Sequence, residues 1–268
     1  MAIYCYDPAP YNGRPILLLH GLGADGHSWG LQFPALIEAG FRPIAPDLPG
    51  FGHSSVVEPH WDIPSITALM ADWLQGRFET PMPVAGLSMG GTIALQLTLT
   101  RPDLVNRLAL VSTFAFLRPR HWQDLTYLLK RFLVAVTRGS AAQADMVAFH
   151  LFPNPDQADL RRELVQLIDE SDPEVYRTAM RALVRFDGRR RLSEIHIPTM
   201  VISGALDSTV PIETQRELAR GIPGAQHVII PGARHAVIAD QTARFNSVLL
   251  DFLQPAGQPS QSETFRTP

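Results

Sequence analysis

The sequence predicts an α/β fold: a mainly parallel β-sheet flanked by helices, with a helical cap inserted into it. Three observations carry this. Short apolar runs alternate with helix-period stretches from residue 15 to residue 113. The alternation stops at Phe114 and resumes at Ile197. Between one strand and the next helix stands a serine bracketed by glycines, Gly86-Leu87-Ser88-Met89-Gly90. Strand–helix–strand order implies parallel strands joined by right-handed crossovers.

In chain order, Pro15-Ile16-Leu17-Leu18-Leu19 is an unbroken apolar run, as a strand buried on both faces requires. It predicts a strand near 15–20, followed by one near 42–46, a helix near 62–78, a strand near 82–87, a helix near 89–100 and a strand near 107–112. The helix after the serine carries its apolar residues at helical spacing (Ile93, Ala94, Leu97). From 114 to 190 the chain has only helix-like stretches, punctuated by Gly139, Pro153, Pro155, Pro173 and Gly188. The β-branched run Thr199-Met200-Val201-Ile202-Ser203 and the run His227-Val228-Ile229-Ile230 are further strands, and a closing helix is expected near 237–253. The expected organisation is a core from 1–113 and 191–254, a cap from 114–190, and a disordered tail over 255–268, which is rich in Pro, Gln, Ser and Thr.

Composition narrows the function classes. A chain of 268 residues, 46% apolar, can hold one α/β domain with an insertion. A net charge of −3 carries no nucleic-acid signal. One cysteine, Cys5, rules out an internal disulfide framework and a Cys-based zinc site. The first residues lack a basic stretch followed by an apolar one, and no apolar run approaches a membrane span, so a cytoplasmic protein is expected.

The glycine-bracketed serine carries the chemistry. A G-x-S-x-G between strand and helix holds the serine on a sharp turn with its hydroxyl exposed. Such a turn costs about 1–3 kcal/mol of backbone strain. The hydroxyl is a weak nucleophile until an imidazole accepts its proton, and the imidazole needs a carboxylate to set its tautomer. Asp207 follows the strand at 199–203, and His235 follows the strand at 227–230, giving the order Ser88, Asp207, His235. Each sits just past the carboxyl end of a strand, where open α/β sheets build their sites. Asp207 could alternatively be a turn-former, since Asp-Ser before Val-Pro is good turn chemistry. The loop after the strand at 107–112, another place for an acid, has no carboxylate before Asp124. An oxyanion would be met by the backbone amides of Met89, after the serine, and Leu22, in the loop His20-Gly21-Leu22-Gly23. His20 is expected to be a structural hydrogen-bonder and not the base.

Taken together, His20-Gly21-Leu22-Gly23, Asp47-Leu48-Pro49-Gly50-Phe51-Gly52-His53-Ser54, Gly86 to Gly91, Asp207 and Gly232-Ala233-Arg234-His235 resemble the α/β-hydrolase superfamily over roughly residues 12 to 254. The chain is similar to small bacterial carboxylesterases, 3-oxoadipate enol-lactonases, meta-cleavage-product hydrolases and pimeloyl-carrier-protein methyl ester esterases. Ser88 sets it apart from haloalkane dehalogenases and epoxide hydrolases, whose elbows carry aspartate. The resemblance implies hydrolysis of a carboxylic ester or lactone without a cofactor or metal, and makes Asp47 to Ser54 a structural turn. Carbon–carbon bond hydrolysis on the same triad and a non-enzymatic ligand receptor stay open at this point.

The cap carries the substrate information. Trp122, Tyr127, Phe132, Phe149 and Phe152 are candidates for an apolar acyl pocket, or pack the cap onto the core. Residues 114–191 hold 13 Lys/Arg against 10 Asp/Glu. That excess could draw an anionic substrate or an acidic acyl carrier protein, or simply form solvated helix faces.

Overall fold

The computed structural model describes residues 2–9, 13–55, 60–75, 77, 81–117 and 139–254. Seven strands form one sheet: β1 (Cys5–Tyr6), β2 (Arg14–Leu19), β3 (Phe41–Pro46), β4 (Met82–Leu87), β5 (Val105–Val111), β6 (Thr199–Gly204) and β7 (Gln226–Ile230). Their order is β1-β3-β2-β4-β5-β6-β7, with β1 antiparallel to β3 and every other pair parallel. The central strands are apolar on both faces because both are covered. Along β2, Leu17 and Leu19 enter one core, and Ile16 and Leu18 enter the other.

Helices α2 (Ile63–Gln75), α3 (Met89–Thr100) and α7 (Ile212–Gly221) cover the first face. Helices α1 (Phe33–Glu38) and α9 (Thr242–Leu253) cover the second, where Leu36 and Phe245 are buried. Helix α3 lies against the middle of the sheet, and ten of its residues are buried, from Met89 to Leu99. The single helix expected at 237–253 is two, α8 (Val237–Asp240) and α9, because Gln241 leaves helical geometry at φ −135° and ψ 53°.

Strand order reverses between β2 and β4: the chain runs outward to β3 from one and outward to β5, β6 and β7 from the other. At such a switch point the loops beyond the carboxyl ends diverge and leave a crevice. The loop from His20 and the turn at Ser88 both open there. After β5 the chain leaves the sheet and returns at 187–188. The two ends meet where Phe116 pairs with Asp187, and the Gly188 N–H donates to the Ala115 carbonyl at 2.8 Å. Between them lie α4 (Gly139–Leu151), α5 (Ala158–Glu170) and α6 (Pro173–Arg185).

Candidate active site

Ser88 joins β4 to α3 with φ 52° and ψ −108°, a conformation side-chain-bearing residues rarely adopt. Close packing around the turn explains its glycines. A Cβ on Gly86 would lie 2.3 Å from the Gly90 carbonyl oxygen, and one on Gly90 would lie 2.1 Å from that of Leu19. The turn is held by hydrogen bonds on both sides. The Ser88 N–H donates to Val111 at 2.9 Å, and its carbonyl accepts from the Thr92 N–H at 3.1 Å and the Thr113 hydroxyl at 2.6 Å. The loop after β2 lies alongside: a Cβ on Gly21 would be 3.8 Å from that of Ser88. Leu22, in this loop, lines the same cavity as Ser88. Met89 is the first residue of α3, where a backbone N–H has no acceptor within the helix.

Asp207 lies in the loop after β6 with its side chain buried. One carboxylate oxygen, Oδ1, accepts the N–H groups of Thr209 and Val210, each at 2.9 Å. The other, Oδ2, accepts Gln215 Nε2 at 3.0 Å and His235 Nδ1 at 2.9 Å. A carboxylate has no proton to give, so Nδ1 carries the imidazole proton and Nε2 is left as the acceptor. The loops bearing the two residues brace each other. Ala205 N–H donates to the Ile230 carbonyl at 3.0 Å and Leu206 N–H to that of Ala233 at 2.8 Å. Next to His235, the Arg234 N–H donates to Asp240 Oδ2 at 2.7 Å, and Asp240 Oδ1 accepts from Gln157 Nε2 at 2.7 Å. Burial pushes the Asp240 carboxyl above its ordinary range.

His20 has both ring nitrogens occupied. Nε2 accepts the Leu48 N–H at 2.8 Å, and Nδ1 donates to the Gly21 carbonyl at 2.8 Å. Burial lowers its pKa, so it stays neutral and fixes the loop. Asp47 accepts the N–H groups of Gly26 and His53 at 2.8 and 2.7 Å, so its segment is held as a turn, as the family resemblance implies.

Ser88 and His235 open into a cavity of about 490 Å³. Its far wall is apolar, built from Val147, Leu151, Phe152, Leu160, Leu164 and Leu167 of the inserted segment, with Glu163 the one carboxylate among the described lining residues. Phe152 therefore faces the cavity. Phe149 does not: it is 63% exposed on the outer face of α4, with the Arg161 guanidinium 5.8 Å from its ring. Two residues along a helix is a rotation of about 200°, so Phe149 points away from the wall that Val147 forms. Trp122, Tyr127 and Phe132 lie outside the described residues. The leucines of α5 had a sequence signal that an aromatic search overlooks, since 160, 164 and 167 follow the i, i+4, i+7 spacing of one helix face. Gln215 had none.

Three of the described basic residues of the insertion have partners outside the cavity. Arg161 donates to the carbonyls of Phe152 and Asn154, Arg162 pairs with Asp159, and Arg189 pairs with Asp187. Among the described residues, no group of three His, Cys, Asp or Glu side chains is placed to hold a metal ion, and no helix is long and apolar enough to cross a membrane.

Comparisons with known proteins agree with this fold. A family profile described as alpha/beta hydrolase fold matches residues 14–242. A protein designated as the carbamate hydrolase RutD of Klebsiella pneumoniae is 32% identical over 255 residues, covering 92% of this chain and 94% of that one. The pimeloyl-[acyl-carrier protein] methyl ester esterase of Neisseria meningitidis serogroup B is 29% identical over 247 residues, covering 90% and 93%. The crystal structure of an enol-lactonase from Burkholderia xenovorans LB400 superposes with a TM-score of 0.82 at 28% identity, covering 94% and 95%.

Proposed function

This chain belongs to the α/β-hydrolase fold family, and on that premise we propose that it is a serine hydrolase of carboxylic esters with short- to medium-chain acyl groups. One observation carries the reading: a serine on a strained turn and a histidine locked to a buried aspartate open into one apolar cavity. Ser88 Oγ attacks the ester carbonyl while His235 Nε2 takes its proton. The amides of Leu22 and Met89 hold the oxyanion, each worth about 2.7–4 kcal/mol of barrier. The tetrahedral intermediate collapses, His235 returns the proton to the departing alcohol, and an acyl-Ser88 ester remains. Water, deprotonated by His235, then cleaves that ester and releases the acid. Asp207 keeps Nδ1 protonated and stabilises the imidazolium that forms in each half-reaction.

The cavity's size falls within the range of small-molecule sites, and its lining suits an apolar acyl chain. Glu163 on that wall disfavours an anionic acyl end by like-charge repulsion. A lactone would react in the same way, with the leaving alcohol tethered to the acyl group. Cleavage of a carbamate is a second reading, favoured by the 32% identity to the protein designated RutD; nitrogen on the acyl carbon leaves every residue role unchanged.

The test is steady-state hydrolysis of p-nitrophenyl esters from acetate to palmitate, beside aryl carbamates, with Ser88→Ala in parallel. Serine-dependent turnover peaking at short or medium esters supports the proposal. A carbamate preference moves the reading to the second one, and background rates throughout overturn both.

A further inference from the structure

We propose that Gln215 is a positioning residue for this reaction: it holds the Asp207 carboxylate toward His235 and is itself held by Ser203 and His227. The proposal rests on the serine-hydrolase reading above. Gln215 is fully buried on α7, a place where an amide is tolerated only if its hydrogen bonds are made. All are made. Its Nε2 donates to Asp207 Oδ2 at 3.0 Å and to the Val210 carbonyl at 2.9 Å, and its Oε1 accepts the Ser203 hydroxyl at 2.6 Å.

The amide cannot be turned round, because its oxygen would then face the Asp207 carboxylate and a carbonyl, which are both acceptors. Ser203, fully buried at the end of β6, has one hydroxyl proton and gives it to Gln215. His227 Nε2, 2.8 Å from the Ser203 oxygen, must therefore donate. Every donor along this chain points inward, from His227 on the edge strand β7 through Ser203 and Gln215 to Asp207. Burial, then Arg216, lowers the pKa of His227, which keeps it neutral with its one ring proton on Nε2. An amide does not ionise near neutral pH, so the chain moves no proton. It fixes the rotation of the carboxylate and spreads its charge.

Removing the Gln215 donor has two consequences. Oδ2 loses the bond that holds it in line with the imidazole, and the less solvated carboxylate attracts the imidazolium more strongly. The other charged groups nearby, Asp240 with Arg234 beside His235 and Arg216 beside His227, are unchanged in the variant.

The experiment compares wild type, Ser88→Ala, Gln215→Leu and Ser203→Ala, using p-nitrophenyl butyrate from about pH 5 to 9. Thermal melts report folding, and the proton NMR signal of His235 Nδ1–H is recorded without substrate. We expect Gln215→Leu to lose about 10-fold or more in kcat with little change in KM. Its acidic limb should move to higher pH, and the Nδ1–H signal should shift. Ser203→Ala should move all three readouts the same way by less. A folded Gln215→Leu with the kcat, acidic limb and Nδ1–H signal of wild type overturns the proposal. If Gln215→Leu does not fold, Ser203→Ala decides by the same readouts. If wild type shows no Ser88-dependent hydrolysis, the ester reading fails by itself. The NMR signal then judges the positioning role alone, and an unmoved signal overturns it.

Discussion

The loops after β6 and β7 and the helices α4 to α6 wall the same cavity, yet different forces hold them. In the loops the Asp207 carboxylate accepts four hydrogen bonds, from two backbone amides, Gln215 and His235. Hydrogen bonds are directional, and bonds to a charged group contribute about 1.5–3 kcal/mol each. This side of the cavity is therefore fixed in angle as well as position. The helical side is a surface of leucine, valine and phenylalanine, held by burial, which has no preferred direction. Its described polar ties to the loops include His150 to Ser208 at 3.0 Å and Gln157 to Asp240 at 2.7 Å. Proton transfer needs fixed geometry, whereas an acyl chain needs only room and dryness. The division of forces matches the division of labour in the proposed reaction.

The largest effects should come from breaking the hydrogen-bonded side. Ser88→Ala should cut kcat by about a thousandfold or more without altering the melting curve. Asp207→Asn should cost less than loss of the nucleophile but still most of the activity, because its amide no longer selects the Nδ1–H tautomer. Near-normal turnover of p-nitrophenyl butyrate by either variant would break the comparison outright. On the apolar side the expected change is one of selectivity. Leu164→Trp should reduce kcat/KM for an octanoyl ester by about 10-fold or more while leaving the acetyl ester nearly unaffected. Equal losses on both esters would show that this wall also sets the reacting geometry.

Acid should weaken the fold, because burial lowers the proton affinity of two histidines, His20 in the interior and His227, half-buried on β7. Each binds a proton less readily when folded than at its ordinary pKa of 6.5, so the unfolded chain takes up protons first. Their stabilising contribution is full above that value and declines as pH falls below it. The Asp240 carboxyl acts in the opposite sense, since burial makes it bind its proton more tightly in the folded state. Thermal melts between about pH 8 and 5.5 should show Tm falling toward the acid end; a flat profile would contradict the assignment. Smallest of all, Gln157→Leu cuts one tie between the two sides. A loss of about 1 kcal/mol should lower Tm by roughly 2–4 °C. An unchanged Tm would mean that apolar burial alone seats the helices.

Much of the core was legible from local pattern. The runs at Ile16 to Leu19 and Val201 to Ser203 read as strands because strands covered on both faces have no polar positions to interrupt them. The short helix α1 and the two-residue strand β1 were not legible, being too brief to show a period. The break at Gln241 was also hidden, since apolar spacing continues across it from Val237 to Phe245.

By itself the sequence determined the chain order of Ser88, Asp207 and His235 and the sharpness of the turn at Ser88. Those depend on neighbours a few residues away, where glycine spacing and strand ends act directly on the backbone. Only the tertiary structure decided which side chains face the cavity and which face water. Phe149 and Phe152 are alike as letters, yet the fold leaves the first in solvent on α4 and sets the second, just past the end of α4, against the cavity. Gln215 reads as any polar residue on an amphipathic helix until β6 and β7 bring Asp207, Ser203 and His227 around it. Such contacts join distant parts of the chain, and no local propensity records which partner burial will supply.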